Sequence, residues 1–162
     1  MNKKTLFVTQ AGAVAALYVV LTMISTAMGL SSGEIQVRFS EALCILPIFM
    51  PAAIPGLFIG CIISNTLSGA VIWDIIFGSL ATLIGALGTR ALAGYRYLAV
   101  LPPILANTII VPFVLAYAYG VETAIPLMML TVGAGEVISV GILGELLYTA
   151  IKSRNLLGEF QK

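Results

Sequence analysis

Residues 5–28, TLFVTQAGAVAALYVVLTMISTAM, decide the class of fold. The stretch holds no charged residue and exceeds the roughly 20 apolar residues that an α-helix needs to cross a bilayer. The whole chain has the same character, because 60% of its 162 residues are hydrophobic and only 9% are charged. Soluble domains carry about 25% charged residues, so this chain has too few charges to cover a soluble globule. We therefore predict a multi-pass protein of the cell membrane.

Five further apolar segments follow, and together the six predict an all-α integral membrane bundle of six transmembrane helices. The segments are residues 5–28, 40–50, 52–68, 71–93, 97–119 and 123–151. The second and third are short and meet at FMPAAIPG, where Pro51 and Pro55 predict a tight turn because proline disrupts a helix interior. No linker interrupts the chain, so residues 1–162 are expected to form a single domain.

Lysine and arginine residues give the expected orientation of the bundle, since cytoplasmic loops of membrane proteins carry an excess of them. With the N-terminus in the cytoplasm, seven of the eight basic residues fall on the cytoplasmic side, namely Lys3, Lys4, Arg90, Arg96, Lys152, Arg154 and Lys162. Arg38 alone falls in the first outer loop. Both termini are therefore expected in the cytoplasm.

The composition excludes several classes of function. The chain has no histidine, the commonest catalytic base and metal ligand, and no convincing nucleophile–base pair, so an enzyme is not expected. Cys44 and Cys61 lie in apolar runs and predict buried thiols rather than a disulfide or zinc site. No basic cluster suits nucleic acid, and no phosphate-binding GxxxxGK-S/T loop is present. We expect no cofactor and no metal.

The first outer loop runs into the second segment as SGEIQVRFSEAL, residues 32–43, and concentrates polar groups in an apolar region. Apolar and polar residues alternate through IQVRFS, and a period of two predicts a short extended segment. Ser40 is expected to cap the helix that follows. The loop is either a solvated segment, in which Arg38 pairs with Glu34 or Glu41, or a lid that lies back on the helices over a cavity opening outward.

Carboxylates inside the predicted spans are costly and point to functional sites. Glu136 lies about eleven residues into the sixth segment, near the middle of the membrane at 1.5 Å per residue, among the small residues of VGAGEVIS. Asp74 lies at the outer end of the fourth segment, where it would also complement the helix dipole. Each either contacts a ligand or forms a structural hydrogen bond. Glu145 lies deeper and is expected to face the inner interface or a partner.

Two amides and a tryptophan extend this set of candidates. Asn65 and Asn107 lie at depths compatible with one outward-facing cavity, although either could instead hold helices together. Trp73, beside Asp74, offers a ring for stacking on a ligand or an aromatic anchor at the membrane interface.

A stripe of small residues marks the first helix. Ala11 and Ala15 are four residues apart, as are Gly12 and Ala16. Small residues at this spacing let another helix approach closely. The stripe therefore serves either internal packing or docking on a second membrane protein.

Several stretches between about residues 11 and 144 resemble a known family. They are GEIQVRFSEAL, IPGLFIGCIISN, DIIFGSLATLIGAL, LPPILAN and GAGEVIS, together with the alanine-rich first helix. With six short spans, they resemble the substrate-binding S components of energy-coupling factor (ECF) vitamin transporters, and among those the QueT family. The resemblance implies a subunit that binds its substrate from outside. It also implies docking on a transmembrane coupling protein and two cytoplasmic ATPases, with Ala11 and Ala15 at the contact.

The QueT resemblance further implies a queuosine precursor as substrate, a 7-deazaguanine such as 7-aminomethyl-7-deazaguanine or queuine. A guanine edge offers N1–H and an amine, which the carboxylate of Glu136 would accept. The remaining roles are the following: Asn107, Asn65, Gln36 or Arg38 for the carbonyl, Asp74 or Glu41 for an aminomethyl cation, and Trp73 or Phe39 for stacking. Two alternatives stay open, namely an S component for another vitamin or small nutrient, and a structural or assembly membrane protein without a ligand.

Overall fold

The computed structural model describes residues 2–31 and 35–154, and within these ranges it is helical with no strand. The helices are α1 (Lys3–Ala27), a 3₁₀ helix (Phe39–Ile48), α2 (Ala53–Leu67), α3 (Ile72–Ala91) and α4 (Leu101–Ala118). A final rod, Ile125–Ser153, consists of α5 (Ile125–Glu136), a π-helical segment (Val137–Gly144) and α6 (Glu145–Ser153). The predicted all-α bundle of six helical segments is therefore confirmed.

Four of these six segments are long and apolar enough to cross a membrane: α1, α3, α4 and the final rod. The 3₁₀ helix and α2 are the shorter apolar helices, as the sequence predicts for its second and third segments. The chain turns between them at residues 49–52. Pro55 falls in the first turn of α2, where its missing N–H has no intrahelical partner to lose. The chain is thus a multi-pass membrane protein.

Local residues explain where several helices begin and end. The side chain of Asn2 caps α1 by accepting from the Lys4 N–H at 3.2 Å. Gly69 and Gly120 follow α2 and α4 with φ of 71° and 67°, a left-handed conformation that glycine adopts without strain. These caps and turns fix the helix lengths that the apolar pattern leaves open.

The 3₁₀ helix is the centre of the bundle, because all its residues from Ser40 to Pro47 are buried. A 3₁₀ helix rises about 2.0 Å per residue against 1.5 Å for an α-helix, so this ten-residue segment spans roughly 20 Å. Around it, Tyr18, Ile45 and Leu57 form a core with at most 1% exposure. Many leucine and isoleucine side chains of the outer helices are exposed instead, as expected where lipid is the solvent.

Close packing of α1 on α2 depends on glycine. A Cβ at Gly60 would lie 2.8 Å from the Tyr18 Cβ and 3.0 Å from the Ala15 carbonyl oxygen, and a Cβ at Gly56 would lie 2.7 Å from the Ala11 carbonyl oxygen. Ala15 is buried in this contact, and Ala11 is half-buried. The structure thus places the Ala11–Ala15 stripe in internal packing, the first of its two predicted uses. Docking of these two alanines on a partner stays a prediction.

The outer loop lies back on the helices, as the alternating pattern predicts. The Val37 N–H donates to the Leu30 carbonyl at 3.0 Å, and the Arg38 N–H donates to the Ser139 hydroxyl at 3.1 Å. The Gln36 backbone rests on Gly135 so closely that a Cβ there would meet the Gln36 carbonyl oxygen at 2.0 Å. Residues 32–34, including Glu34, lie outside the described ranges.

Ser40 does not cap the helix that follows the loop, contrary to expectation. The 3₁₀ helix begins one residue earlier, at Phe39, with Arg38 in the capping position and no side-chain cap. The Phe39 N–H donates instead to the Ser25 hydroxyl at 2.8 Å, and the Ser40 hydroxyl accepts from Thr22 at 2.8 Å. Two hydroxyls of α1 therefore anchor the start of this helix from the side.

We expect Gly60→Ala to destabilise the bundle, because overpacking of this kind costs about 1–3 kcal/mol. Gly12→Ala on α1 is the matched control, since no atom lies within 4 Å of its Cβ position. Thermal unfolding in detergent, followed through the fluorescence of Trp73, should show a lower midpoint for Gly60→Ala alone. Equal midpoints for the two variants would contradict the close α1–α2 contact.

We expect Gly135→Ala to lift the outer loop off the rod, because the Gln36 carbonyl must move to admit the methyl group. Gly141→Ala in the same rod is the control, since its Cβ would meet only Val137 and Ile104, at 3.7 and 4.0 Å. A cysteine introduced at half-buried Val37 should react with a maleimide several-fold faster in the Gly135→Ala background. The native Cys44 and Cys61 are buried and should stay silent. An unchanged rate would show that Gly135 does not hold the loop.

Candidate functional site

Polar side chains gather inside the bundle where the outer loop, the 3₁₀ helix and the rod meet. Lipid supplies no hydrogen bonds, so a polar group buried here needs a partner from the protein or from a ligand. The members of this interior cluster are Tyr18, Arg38, Glu41, Asn65, Asp74, Asn107, Glu136 and Ser139. Six of the nine predicted substrate-binding residues are among them. Trp73 lies outside the cluster, whereas Gln36 and Phe39 lie at its edge, half-buried in the loop and at the start of the 3₁₀ helix.

Glu41 is the most buried carboxylate of the cluster, at 2% exposure. One of its oxygens accepts from the Tyr18 hydroxyl, and Cys44 Sγ lies 3.2 Å from the other. Tyr18 is itself buried at the centre of α1. Within the described ranges Arg96–Glu145 is the ion pair, so the predicted pairing of Arg38 with Glu41 is not formed. Both Glu41 oxygens are already engaged by the protein.

Glu136 differs from Glu41 in having a free oxygen. It is the last residue of α5 and is 9% exposed, yet its Oε2 has no hydrogen-bond partner in residues 2–31 and 35–154. The Asn107 amide neighbours this carboxylate, and Arg38 and Glu41 lie within electrostatic range of it. A buried acceptor without a partner typically costs about 1–3 kcal/mol and calls for an explanation. A ligand that donates hydrogen bonds would supply the missing partner.

The π-helical segment begins at Val137, directly after Glu136. Its wide turns carry the buried Ser139 to the outer loop, where the hydroxyl accepts the Arg38 N–H. Helix segments of this kind occur frequently at functional sites. The junction of α5 with the π-helical segment therefore presents the Glu136 carboxylate to the interior and holds the outer loop through Ser139.

Asp74 forms the outer wall of the cluster. It lies in the first turn of α3, is 9% exposed and accepts from the Tyr119 hydroxyl at 2.9 Å. Asn65 donates to the Asp74 backbone carbonyl at 3.4 Å, which links α2 to α3 and matches the structural alternative for this amide. Arg38 lies within electrostatic range of Asp74. Partial burial, and then the hydrogen bond to Asp74, raise the pKa of Tyr119, which follows α4.

Trp73 points away from the interior cluster, although Asp74 beside it points inward. Neighbouring side chains on an α-helix diverge by about 100°. Trp73 is 55% exposed, stacks on Phe77 with ring centroids 6.1 Å apart, and lines an apolar groove between α3 and α4 with Phe113 and Tyr117. This position fits the second prediction for Trp73, an aromatic anchor at the membrane interface. It does not fit stacking on a ligand in the interior.

Gln36 and Phe39 are half-buried in the loop and at the start of the 3₁₀ helix. The interactions described above for these two residues come from their backbones. Four residues that the sequence pattern did not single out position the site, namely Tyr18, Tyr119, Gly135 and Ser139. Of these four, only Tyr18 could have been recognised from the sequence, because its phenol is a polar group in the middle of the first predicted span. The described ranges contain no group of three histidine, cysteine, aspartate or glutamate residues that could hold a metal ion.

Comparisons with known proteins agree with the predicted resemblance. The family model described as QueT transporter matches residues 8–153. The queuosine precursor transporter QueT of Lactococcus lactis subsp. cremoris (strain MG1363) is 43% identical over 83 residues. That alignment covers 51% of this chain and 48% of the relative, so the match spans about half of the relative's length. No solved structure matches significantly. Since the family model covers the chain from α1 to the end of α6, the chain belongs to the QueT transporter family.

Proposed function

We propose that this protein is the substrate-binding S component of an ECF-type importer and captures a queuosine precursor from outside the cell. The observation that carries the proposal is the buried Glu136 carboxylate, whose Oε2 has no described partner. It lies beside Asn107 and directly before the π-helical segment that holds the outer loop. Four other buried side-chain atoms of the described ranges also lack a partner, but none belongs to the interior cluster: Gln10 Nε2, Ser79 Oγ, Thr108 Oγ1 and Glu145 Oε1.

The substrate class follows from the relative and from the chemistry of Glu136. The matched relative is named as a queuosine precursor transporter. A 7-deazaguanine carries N1–H and an exocyclic amine on one edge, and a carboxylate accepts from both. Asn107, next to Glu136, has the donor that the ring carbonyl needs. Glu136 and Asn107 together therefore suit the guanine edge.

The charge of the cluster favours a cationic precursor over a neutral one. Glu41, Asp74 and Glu136 are each at most 9% exposed, and Arg38 is the basic residue in electrostatic range of them. In a medium of low dielectric, the negative charge of three ionised carboxylates against one guanidinium is costly unless a further cation is bound beside them. The aminomethyl cation of 7-aminomethyl-7-deazaguanine would offset this charge. Asp74 is the better partner for the cation, because Tyr18 and Cys44 already occupy Glu41.

The orientation proposed for the bundle has both termini in the cytoplasm. Arg90 donates to the carbonyls of Pro47 and Ile48, and Arg96 bonds Glu145, so these basic residues gather at one end of the bundle. Arg38 lies at the other end, beside the interior cluster. The positive-inside rule assigns the basic end to the cytoplasm and the loop end to the outside. The outer loop then serves as the lid of an outward-opening site.

Energy for uptake would come from partner subunits. The chain contains no phosphate-binding GxxxxGK-S/T loop, and the resemblance to S components implies a transmembrane coupling protein with two ATPases. The protein itself would bind its ligand without turning it over, which separates this proposal from an enzyme. Tight binding of a vitamin in place of a deazaguanine would instead favour an S component for another nutrient.

We expect Glu136→Gln to weaken binding of 7-aminomethyl-7-deazaguanine by about 10- to 100-fold, because hydrogen bonds to a charged group are worth about 1.5–3 kcal/mol. Glu122→Gln is the matched control, since Glu122 is exposed in the loop between α4 and α5. Titration calorimetry on the detergent-purified protein would measure both. Unchanged affinity in Glu136→Gln would remove this residue from the site, and no binding to the wild type would remove the ligand class.

We expect the wild type to bind 7-aminomethyl-7-deazaguanine at least about tenfold more tightly than 7-cyano-7-deazaguanine, a difference of roughly 1.4 kcal/mol. The two ligands share the ring, and only the first carries a cation. Asp74→Asn should remove most of this preference, because it should lower the affinity for the aminomethyl ligand and leave the affinity for the cyano ligand unchanged. The same calorimeter serves all four titrations. Equal affinities for amine and nitrile in the wild type would refute the charge argument.

A further inference from the structure

A second pocket lies far from the interior cluster, at the end of the rod where α6 meets the chain between α3 and α4. It has a volume of about 240 Å³ and is lined by Arg96, Tyr148, Thr149, Lys152 and Ser153. The proposed transport function uses none of these side chains. They form a basic pocket with hydroxyl groups at its mouth, which we call the terminal pocket.

The cations of the terminal pocket are held in place by neighbouring groups. The Arg96 guanidinium lies 4.2 Å from the centre of the Tyr148 ring and bonds Glu145 at 2.6 Å and Thr149 at 2.7 Å. The Lys152 ammonium lies 5.7 Å from the same ring. Glu145 neutralises one positive charge, so Lys152 and the adjacent Arg154 leave the mouth of the pocket basic. Such a pocket attracts an anion.

The depth of the terminal pocket points to a lipid anion. The rod has 29 residues and is therefore about 40 Å long, whereas the hydrocarbon core of a bilayer is about 30 Å thick. The last turns of α6 thus reach the level of the lipid phosphates. Tyrosines favour the same interface, and Tyr97, next to Arg96, is exposed there.

One face of the rod changes from apolar to polar towards the terminal pocket. Ile142, Leu146, Thr149 and Ser153 follow one another at spacings of four, three and four residues, which places them on one helix face. Ile142 and Leu146 are exposed, at 54% and 63%, and the two hydroxyl residues follow at the membrane interface. An apolar strip that leads into a basic, hydroxyl-bearing pocket matches a phospholipid, with an acyl chain below its phosphate.

We propose that the terminal pocket binds the headgroup of an anionic phospholipid, beyond the proposed transport function and independently of it. The phosphate lies at Lys152, because the hydroxyls of Thr149 and Ser153 already donate to backbone carbonyls, and an acyl chain lies along Leu146 and Ile142. Basic pockets between transmembrane helices are suited to such headgroups. The bound lipid would fix α6 to the chain that follows α3 at the membrane surface.

The test uses the full chain in a neutral detergent, titrated separately with dioctanoyl phosphatidylglycerol, dioctanoyl phosphatidylcholine and inorganic phosphate. The midpoint of thermal unfolding reports binding. Phosphatidylglycerol should raise the midpoint, phosphatidylcholine should raise it much less, and inorganic phosphate at the same concentration should leave it unchanged. Stabilisation by phosphate alone would show a site for free anions, and equal stabilisation by both lipids would show a site for acyl chains. Either result would overturn the proposal.

Variants of one exposed lysine locate the effect. Lys152→Gln should weaken the apparent affinity for phosphatidylglycerol about fivefold, the usual worth of one charge near the membrane surface, and Lys152→Arg should restore it. Lys4→Gln is the control, because Lys4 is also exposed but lies at the start of α1, outside the pocket. The same affinity in Lys152→Gln as in the wild type would overturn the proposal. Because deazaguanine binding is a separate titration, failure here leaves the proposed function untouched.

Discussion

Lipid offers no hydrogen bonds, and this constraint organises the interior of the protein. Glu41 is satisfied by Tyr18 and Cys44, and Asp74 accepts from the Tyr119 hydroxyl. The tyrosine contacts join separate elements of the chain, Tyr18 of α1 with the 3₁₀ helix and Tyr119 after α4 with α3, so the polar groups also hold the bundle together. Within the interior cluster Glu136 is the exception, with one buried oxygen left over. The other buried carboxylate oxygen without a described partner belongs to Glu145, whose second oxygen is paired with Arg96 outside the cluster. The proposed ligand site rests on this difference.

Helix pitch explains how a ten-residue segment extends far through the bundle and how the polar groups come together around it. The 3₁₀ helix stretches ten residues over roughly 20 Å, and the π-helical segment packed beside it is wound more loosely than an α-helix. The 3₁₀ pitch lengthens a short segment, and the π-helical winding places Ser139 against the loop. Both irregular stretches lie next to Glu136, so the local departures from α-helical geometry coincide with the candidate site.

The four long helices could be predicted because membrane thickness sets the length of an apolar run, and the two short ones because prolines interrupt the apolar sequence between them. The loop that lies on the helices and the turn before Pro55 also followed from local patterns. The pitch of the 3₁₀ helix could not be predicted, since it depends on tertiary packing. The outward position of Trp73 depends on how α3 is rotated in the bundle. The partner of Glu41, Tyr18, is 23 residues away in sequence, and no local pattern connects the two.

One stretch of the rod joins the outer loop to the proposed ligand site. Glu136 and Ser139 are one turn apart, and the hydroxyl of Ser139 holds the backbone of Arg38. Among the described residues, the Val37 and Arg38 N–H groups tie the loop to the helices, and a hydrogen bond of this kind contributes only about 0.5–1.5 kcal/mol net. Opening is therefore affordable without a ligand, whereas a ligand bound between Arg38 and Glu136 would add contacts that exist only in the closed state. A ligand shifts such an equilibrium only by its difference in affinity for the two states. In the proposed site, Glu136 beneath the loop and Arg38 in the loop itself would provide that difference.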